Sequence, residues 1–82
     1  MTIAPNPVRE RFQVAINSPA DADTKILFFD MQGRSVMTMN ATIKKGTNVF
    51  TVSANENWQP GIYNALVKIN QEIFTTRFVV LE

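Results

Sequence analysis

The chain has 82 residues, of which 45% are hydrophobic and 18% charged, and its formal net charge is +1. This composition is that of one folded globular domain rather than a disordered or fibrous segment. Lys44-Lys45 is the only pair of adjacent basic residues, so the chain lacks the basic stripe that binds nucleic acid. The absence of histidine and cysteine excludes disulfides, thiolate metal sites and the usual general base, and no run of about 18 apolar residues is present to cross a membrane.

Residues 1–10 are predicted to be an entry segment or linker, because each proline of Pro5-Asn6-Pro7 fixes its own φ and biases the preceding residue towards extended backbone. Phe12, Val14 and Ile16 then alternate with polar or small residues, which predicts a half-buried strand. Residues 17–23 are predicted to form the loop that ends it.

The stretch Phe28–Val36 predicts a β-hairpin, because it places Asp30 at the first and Gly33 at the fourth position of a type I turn between two apolar runs. The flanking strands are predicted at residues 24–30 and 35–43. In this register Ile26 and Phe28 point inward, whereas Leu27 and Phe29 lie on the outer face.

Further strands are predicted at residues 47–53, 62–69 and 72–80. Gly46 marks the turn before the first of these, and a polar loop at residues 54–59 with Trp58 as its apolar plug leads to a tight turn at Pro60-Gly61. Asn70 is expected to take the left-handed position of the last reversal.

Six or seven short strands with frequent turns predict an all-β fold, an antiparallel sandwich of two sheets that spans residues 11–80. Leu81-Glu82 is interpreted as a vector-derived tail and Met1 as an added start. The chain is therefore expected to be one domain of a longer protein.

The motifs in order resemble the C-terminal sorting domain of proteins exported by the type IX (Por) secretion system of Bacteroidetes (type A family). They are Pro5-Asn6-Pro7, Phe12-x-Val14, Asp30-x-x-Gly33-Arg34-x-Val36, Gly46-x-Asn48, Pro60-Gly61-Ile62-Tyr63 and Thr76-Arg77-Phe78-Val79-Val80. Two features depart from the family pattern: members commonly end in a basic residue where this chain has Leu81-Glu82, and many have Leu where this chain has Trp58.

The resemblance implies an immunoglobulin-like β-sandwich at the C-terminus of a larger cargo protein, which it sends through the periplasm to the outer-membrane surface or the extracellular space. The implied partners are the outer-membrane translocon and a sortase-like peptidase, with no nucleic acid and no insertion into the membrane. Two alternatives remain open: an accessory carbohydrate- or protein-binding module of a secreted enzyme, and a structural spacer in a repeat array.

No catalytic, cofactor-binding or metal-binding residue is predicted, and the domain is not expected to be an enzyme. The acidic residues do not form a paired motif, and Asp21-Ala22-Asp23 offers too few oxygens for calcium. Asp30 is interpreted as the cap of its turn. Trp58, Tyr63 and Phe29 could form an aromatic platform for a sugar, although core packing explains the first two more simply.

Recognition is expected to rest on the outer surface. Leu27, Phe29, Arg77 and Val79 would form an outward apolar patch, and the last strand is the predicted signal surface, read either by its face or by strand addition at its edge. Arg34 either binds a carboxylate of the translocon or ties its own hairpin to a neighbouring strand. The candidate recognition residues are Arg34, Phe74, Arg77, Val79 and Val80, and the structural turn residues are Asp30, Gly33, Gly46, Pro60 and Gly61.

Overall fold

The fold consists of seven β-strands and is seen in a computed structural model that describes residues 1–54 and 58–81. The predicted loop residues 55–57 and the terminal Glu82 lie outside the described residues. No helix among the described residues is long and apolar enough to cross a membrane. The strands are β1 (Thr2–Ala4), β2 (Arg11–Ser18), β3 (Ala22–Phe29), β4 (Ser35–Ile43), β5 (Gly46–Ser53), β6 (Gly61–Ile69) and β7 (Glu72–Val80).

These strands form two antiparallel sheets, a three-stranded sheet in the order β1-β2-β5 and a four-stranded sheet in the order β4-β3-β6-β7. Pairing of the second strand with the fifth, of the third with the sixth, and of the sixth with the seventh is the immunoglobulin-like pattern. The predicted all-β sandwich is therefore confirmed. The predicted bounds of β4 and β7 agree with the structure to the residue.

The sandwich closes over one core, because each strand sends alternate side chains inward. Ile26 and Phe28 of β3 are fully buried, whereas Leu27 and Phe29 are part-exposed on the outer face, as the hairpin register predicts. At the centre of the core, rings from both sheets and from the β5–β6 loop pack with centroids 5.2 to 6.4 Å apart. These rings belong to Phe12, Phe28, Trp58, Tyr63 and Phe78.

The N-terminal residues contribute more to the fold than a linker would. Residues Thr2–Ala4, predicted to belong to the entry segment, pair with β2 as an edge strand, and Ile3 reaches the core. Val8 is fully buried and bridges to Val80. The interpretation of residues 2–8 as linker is wrong, because non-local pairing orders a segment whose local sequence has no strand signal.

The loop after β2 is also shorter than predicted. Ala22 and Asp23 belong to β3, where they pair with Ile43 and Thr42. The turn is closed at Ser18, whose hydroxyl donates to the carbonyl oxygen of Ala20 at 2.6 Å. Pairing with β4 therefore extends the strand into residues whose own propensity favours a loop.

Candidate recognition surface

The turn between β3 and β4 is held by the carboxylate of Asp30. Its Oδ1 accepts hydrogen bonds from the backbone N–H groups of Gln32 and Arg34, both at 2.9 Å, and the Gly33 N–H donates to the Asp30 carbonyl at 3.0 Å. Gly33 has φ of +82°, a left-handed conformation that glycine adopts without a side-chain penalty. Asp30 therefore caps its own turn, so the role of this carboxylate is structural.

Arg34 is tied to the same carboxylate. Its Nε donates to Asp30 Oδ2 at 2.9 Å, while about three quarters of its side chain remains exposed. The hydrogen bond from the backbone N–H of Arg34 holds the pKa of Asp30 below its usual range, and the Arg34 guanidinium and the Gln32 N–H add to this effect, whereas desolvation of the carboxylate opposes it. Arg34 thus ties down its own turn rather than reaching a neighbouring strand, and its role in recognition stays a prediction.

The two turn motifs that are far apart in sequence meet at one end of the sandwich. A shallow cleft of about 510 Å³ lies between the Asp30–Arg34 turn and the segment from Gln59 to Tyr63, so Pro60-Gly61 forms one of its walls. The Tyr63 hydroxyl donates to the Gln59 carbonyl at 2.6 Å and pins the loop to β6. Burial raises the pKa of Tyr63, and the charge of Asp30 adds to that increase.

The aromatic platform considered for a sugar is absent. Trp58 and Tyr63 are 7% and 5% exposed, and their rings stack on each other at 5.3 Å inside the core. Only Phe29 of the three lies on an outer face. A carbohydrate module that binds through stacked aromatic rings requires exposed rings, so this alternative loses the feature that supported it.

The outer surfaces of the two sheets differ in chemistry. The outer surface of the four-stranded sheet carries five part-exposed apolar side chains, which we call the apolar face: Leu27, Phe29, Ile62, Leu66 and Val79. Leu27 lies directly opposite Leu66, and Ile62 lies opposite Val79. Phe29 is next to Leu27 on its strand and diagonal to Ile62, which makes the apolar face continuous.

The outer surface of the three-stranded sheet is polar by comparison. Val49, 55% exposed, is its one large apolar side chain among the described residues. Its remaining outward positions hold small or polar residues: Thr2, Ala4, Arg11, Gln13, Ala15, Asn17, Thr47, Thr51 and Ser53. Because monomers rarely leave a contiguous apolar patch open without a use, the apolar face is the stronger candidate for recognition.

The candidate residues of the last strand are divided between core and surface. Arg77 is exposed opposite Asn64, and Val79 belongs to the apolar face. Phe74 is half-buried against the core and Val80 is only 2% exposed. Val80 is therefore wrongly placed among surface residues, because the alternation of β7 turns its side chain inward with Phe78.

The free edge of β7 is open over only part of its length. Near the end of the strand, Val8 N–H donates to the Val79 carbonyl and Leu81 N–H to the Val8 carbonyl, both at 2.7 Å. Asn6 Oδ1 accepts from the Val79 N–H at 3.1 Å. Covering of an edge by a loop is a common way to prevent strand addition, so the face of β7 is better placed for recognition than its edge.

The carboxylate of Asp21, in the turn between β2 and β3, is likewise structural. Asp21 Oδ1 accepts a hydrogen bond from the Lys45 N–H at 2.8 Å, which joins two turns at the end of the sandwich away from Asp30. Residues 1–54 and 58–81 contain no group of three acidic side chains that could hold a metal ion.

Two members of the apolar face, Ile62 and Leu66, were not predicted as surface residues from the sequence. Their alternation with the inward Tyr63, Ala65 and Val67 could have identified them.

Comparison with known families shows which family the described strands resemble. A family model described as "Secretion system C-terminal sorting domain" matches residues 2–81. A search of curated proteins found no match. The matched region includes all seven strands, from β1 to β7.

Proposed function

The chain belongs to the family of type IX secretion-system C-terminal sorting domains, and from this premise we propose that it directs a covalently attached cargo through the outer-membrane translocon. A sorting role of this kind implies export to the cell surface or the extracellular space. After transport, a sortase-like peptidase removes the domain and the cargo is attached to the surface or released.

The family match over residues 2–81 is the observation that carries this proposal. Because the match includes every strand of the sandwich, the whole fold is the sorting domain and no second domain accompanies it within these residues. The family is one of sorting signals rather than catalysts. The sorting signal is then the shape and chemistry of the outer surface of the domain.

The chemistry of the two outer surfaces supports a docking role for β7 and its neighbours. Arg77 and Val79 lie side by side on β7, on the surface that also carries the apolar face. Arg34 lies at the turn end of the same sheet, with the rest of its guanidinium turned to solvent. These side chains are accessible to a translocon protein, whereas Phe74 and Val80 support them from the core.

The test is a fusion of residues 1–82 behind a fluorescent protein that is exported to the periplasm of a type IX-competent cell. We expect the reporter to reach the cell surface and to stay in the periplasm when a translocon gene is deleted. The control is the same reporter without residues 1–82. A reporter that reaches the surface equally well in the deletion strain would contradict the proposal.

Substitution of surface residues then locates the recognition surface. Arg77→Ala and Val79→Ser are expected to reduce surface display while the unfolding temperature of the isolated domain changes little. Val49→Ser, on the outer surface of the other sheet, is the matched control. Unchanged display in both β7 variants would show that recognition uses a different surface.

A further inference from the structure

The charged residues that border the apolar face are nearly all positive. On the outward positions of the four-stranded sheet, Lys25 precedes Leu27 along β3, Lys68 follows Leu66 along β6, and Arg77 precedes Val79 on β7. Asp23 is the one acidic residue at the described outward positions of this sheet, and it lies at the far end of β3. The outward positions of β4 are uncharged.

These three cations have no ionic partner in the part of the chain that the structure describes. The ion pair found there joins Arg34 to Asp30, at the turn rather than on the sheet. Lys25, Lys68 and Arg77 are all exposed. A surface with an apolar centre and an unneutralised cationic rim is complementary to one with an apolar centre and an acidic rim.

We infer that the apolar face, with Lys25, Lys68 and Arg77 as its rim, docks onto an acidic, apolar-centred protein surface of the export machinery. This inference rests on the proposed function and adds the chemistry of the partner to it. The apolar side chains supply the buried contact area, and the cations set the orientation and the rate of encounter.

Face-to-face docking fits the structure better than strand addition does. The backbone groups of Val79 already bond to Asn6 and Val8, so an added strand could pair only with the part of β7 up to Arg77. On the outer surface, in contrast, β3, β6 and β7 present a broad area without interruption. A partner that covers this area buries all five apolar side chains at once.

The same surface is less suited to a lipid bilayer. The five members of the apolar face are only part-exposed, Ile73 of β7 being the one apolar side chain at a described outward position of this sheet that is largely exposed, and the net charge of the chain is only +1. Interfacial binding needs apolar groups that reach several ångströms into the headgroup region together with a strong positive charge. A protein surface of matching shape is therefore the better occupant.

Charge reversal tests the inference in the reporter fusion. The triple variant Lys25→Glu, Lys68→Glu, Arg77→Glu should lower surface display about tenfold, because like charges placed opposite each other oppose association. The matched control, Arg11→Glu, Lys44→Glu, Lys45→Glu, reverses the same number of charges outside the face and should leave display near the parent value. Thermal unfolding of both isolated variants verifies that each is folded.

The parent fusion separates this inference from the proposed function. If the parent depends on the translocon and both triple variants are displayed equally, the proposed function stands and the docking inference is wrong. If display of the parent fusion does not depend on the translocon, the proposed function is wrong, and the docking inference, which rests on it, is wrong as well. An acid-to-lysine substitution in a translocon protein that restores display of the face variant, without improving the control variant, would support an acidic partner surface.

Two binding measurements test the alternative partners of the apolar face, which are a second copy of the chain and anionic lipid. The purified chain should remain monomeric in analytical ultracentrifugation, and it should not co-sediment with vesicles made of equal parts phosphatidylcholine and phosphatidylglycerol. Dimerisation that Leu66→Ser abolishes and Val49→Ser does not would assign the face to a second copy of the chain. Co-sedimentation that the face variant abolishes would assign it to anionic lipid, and either result would overturn the inference.

Discussion

Asp30 shows how a single side chain can determine a turn. One of its oxygens accepts two backbone N–H groups and the other accepts the Nε of Arg34, so the ionised carboxylate is the form that the folded chain binds best. Its pKa is consequently lower in the folded chain than in the unfolded chain. The unfolded chain binds the proton more tightly, and protonation therefore favours unfolding.

This linkage predicts a pH dependence. The contribution of Asp30 to stability should be complete above the unfolded pKa of about 3.9 and should disappear as the pH falls through the lower folded pKa. Asp30→Asn, which keeps an oxygen for the backbone but loses the charge, should unfold at a lower temperature than the parent at pH 7. The difference should vanish in strong acid.

Thermal unfolding followed by circular dichroism between pH 2 and 7 measures this effect. Asp30→Ala should be less stable than Asp30→Asn at pH 7, because it removes the backbone bonds as well. Met31→Ala is the control in the same turn, since Met31 is 61% exposed. A gap between parent and Asp30→Asn that persists at the lowest pH would show that the ionised carboxylate is not its source.

At the scale of the element, the segment from Asn6 to Val8 joins the start of the chain to its last strand. It covers the end of the β7 edge through Val79 and Val80, and Val8 is fully buried. Val8→Ala should therefore lower the free energy of unfolding by about 2 kcal/mol, the combined cost of lost apolar burial and of the cavity left behind.

Urea unfolding of the isolated domain checks this value, provided that the slope of the transition is unchanged. Thr2→Ala serves as the control, because Thr2 is exposed on the neighbouring edge strand. If Val8→Ala shifted the midpoint no more than Thr2→Ala does, residues 6–8 would contribute no more than a linker.

Across the chain, the local sequence predicts those strands in which apolar and polar residues alternate and which end at residues typical of turns. The bounds of β7 and the Asp30–Gly33 turn are predicted correctly, and Asn70 has the expected positive φ of 57°. β1 is missed because three residues followed by Pro5 carry no period of their own, and only the partner strand β2 makes them a strand.

The candidate surface is predicted less completely than the fold, for a related reason. Sequence alternation places Leu27, Phe29 and Val79 outside but does not show which strands lie side by side. The register of β3 with β6 and of β6 with β7 is what joins Ile62 and Leu66 to them. Likewise, the chemistry of Trp58 suits both a sugar platform and a core, and only its packing decides between them.

We propose that the export machinery recognises the folded exterior of the domain and not the linear sequence of its last strand. Phe28→Asp tests this claim, because a carboxylate at a fully buried position should unfold the domain while every outward residue is kept. The measurement is surface display of the reporter fusion, divided by the amount of intact fusion in the cell. We predict that display of the Phe28→Asp fusion falls to the level of the translocon deletion, whereas display equal to the parent from a domain that circular dichroism shows to be unfolded would contradict the account.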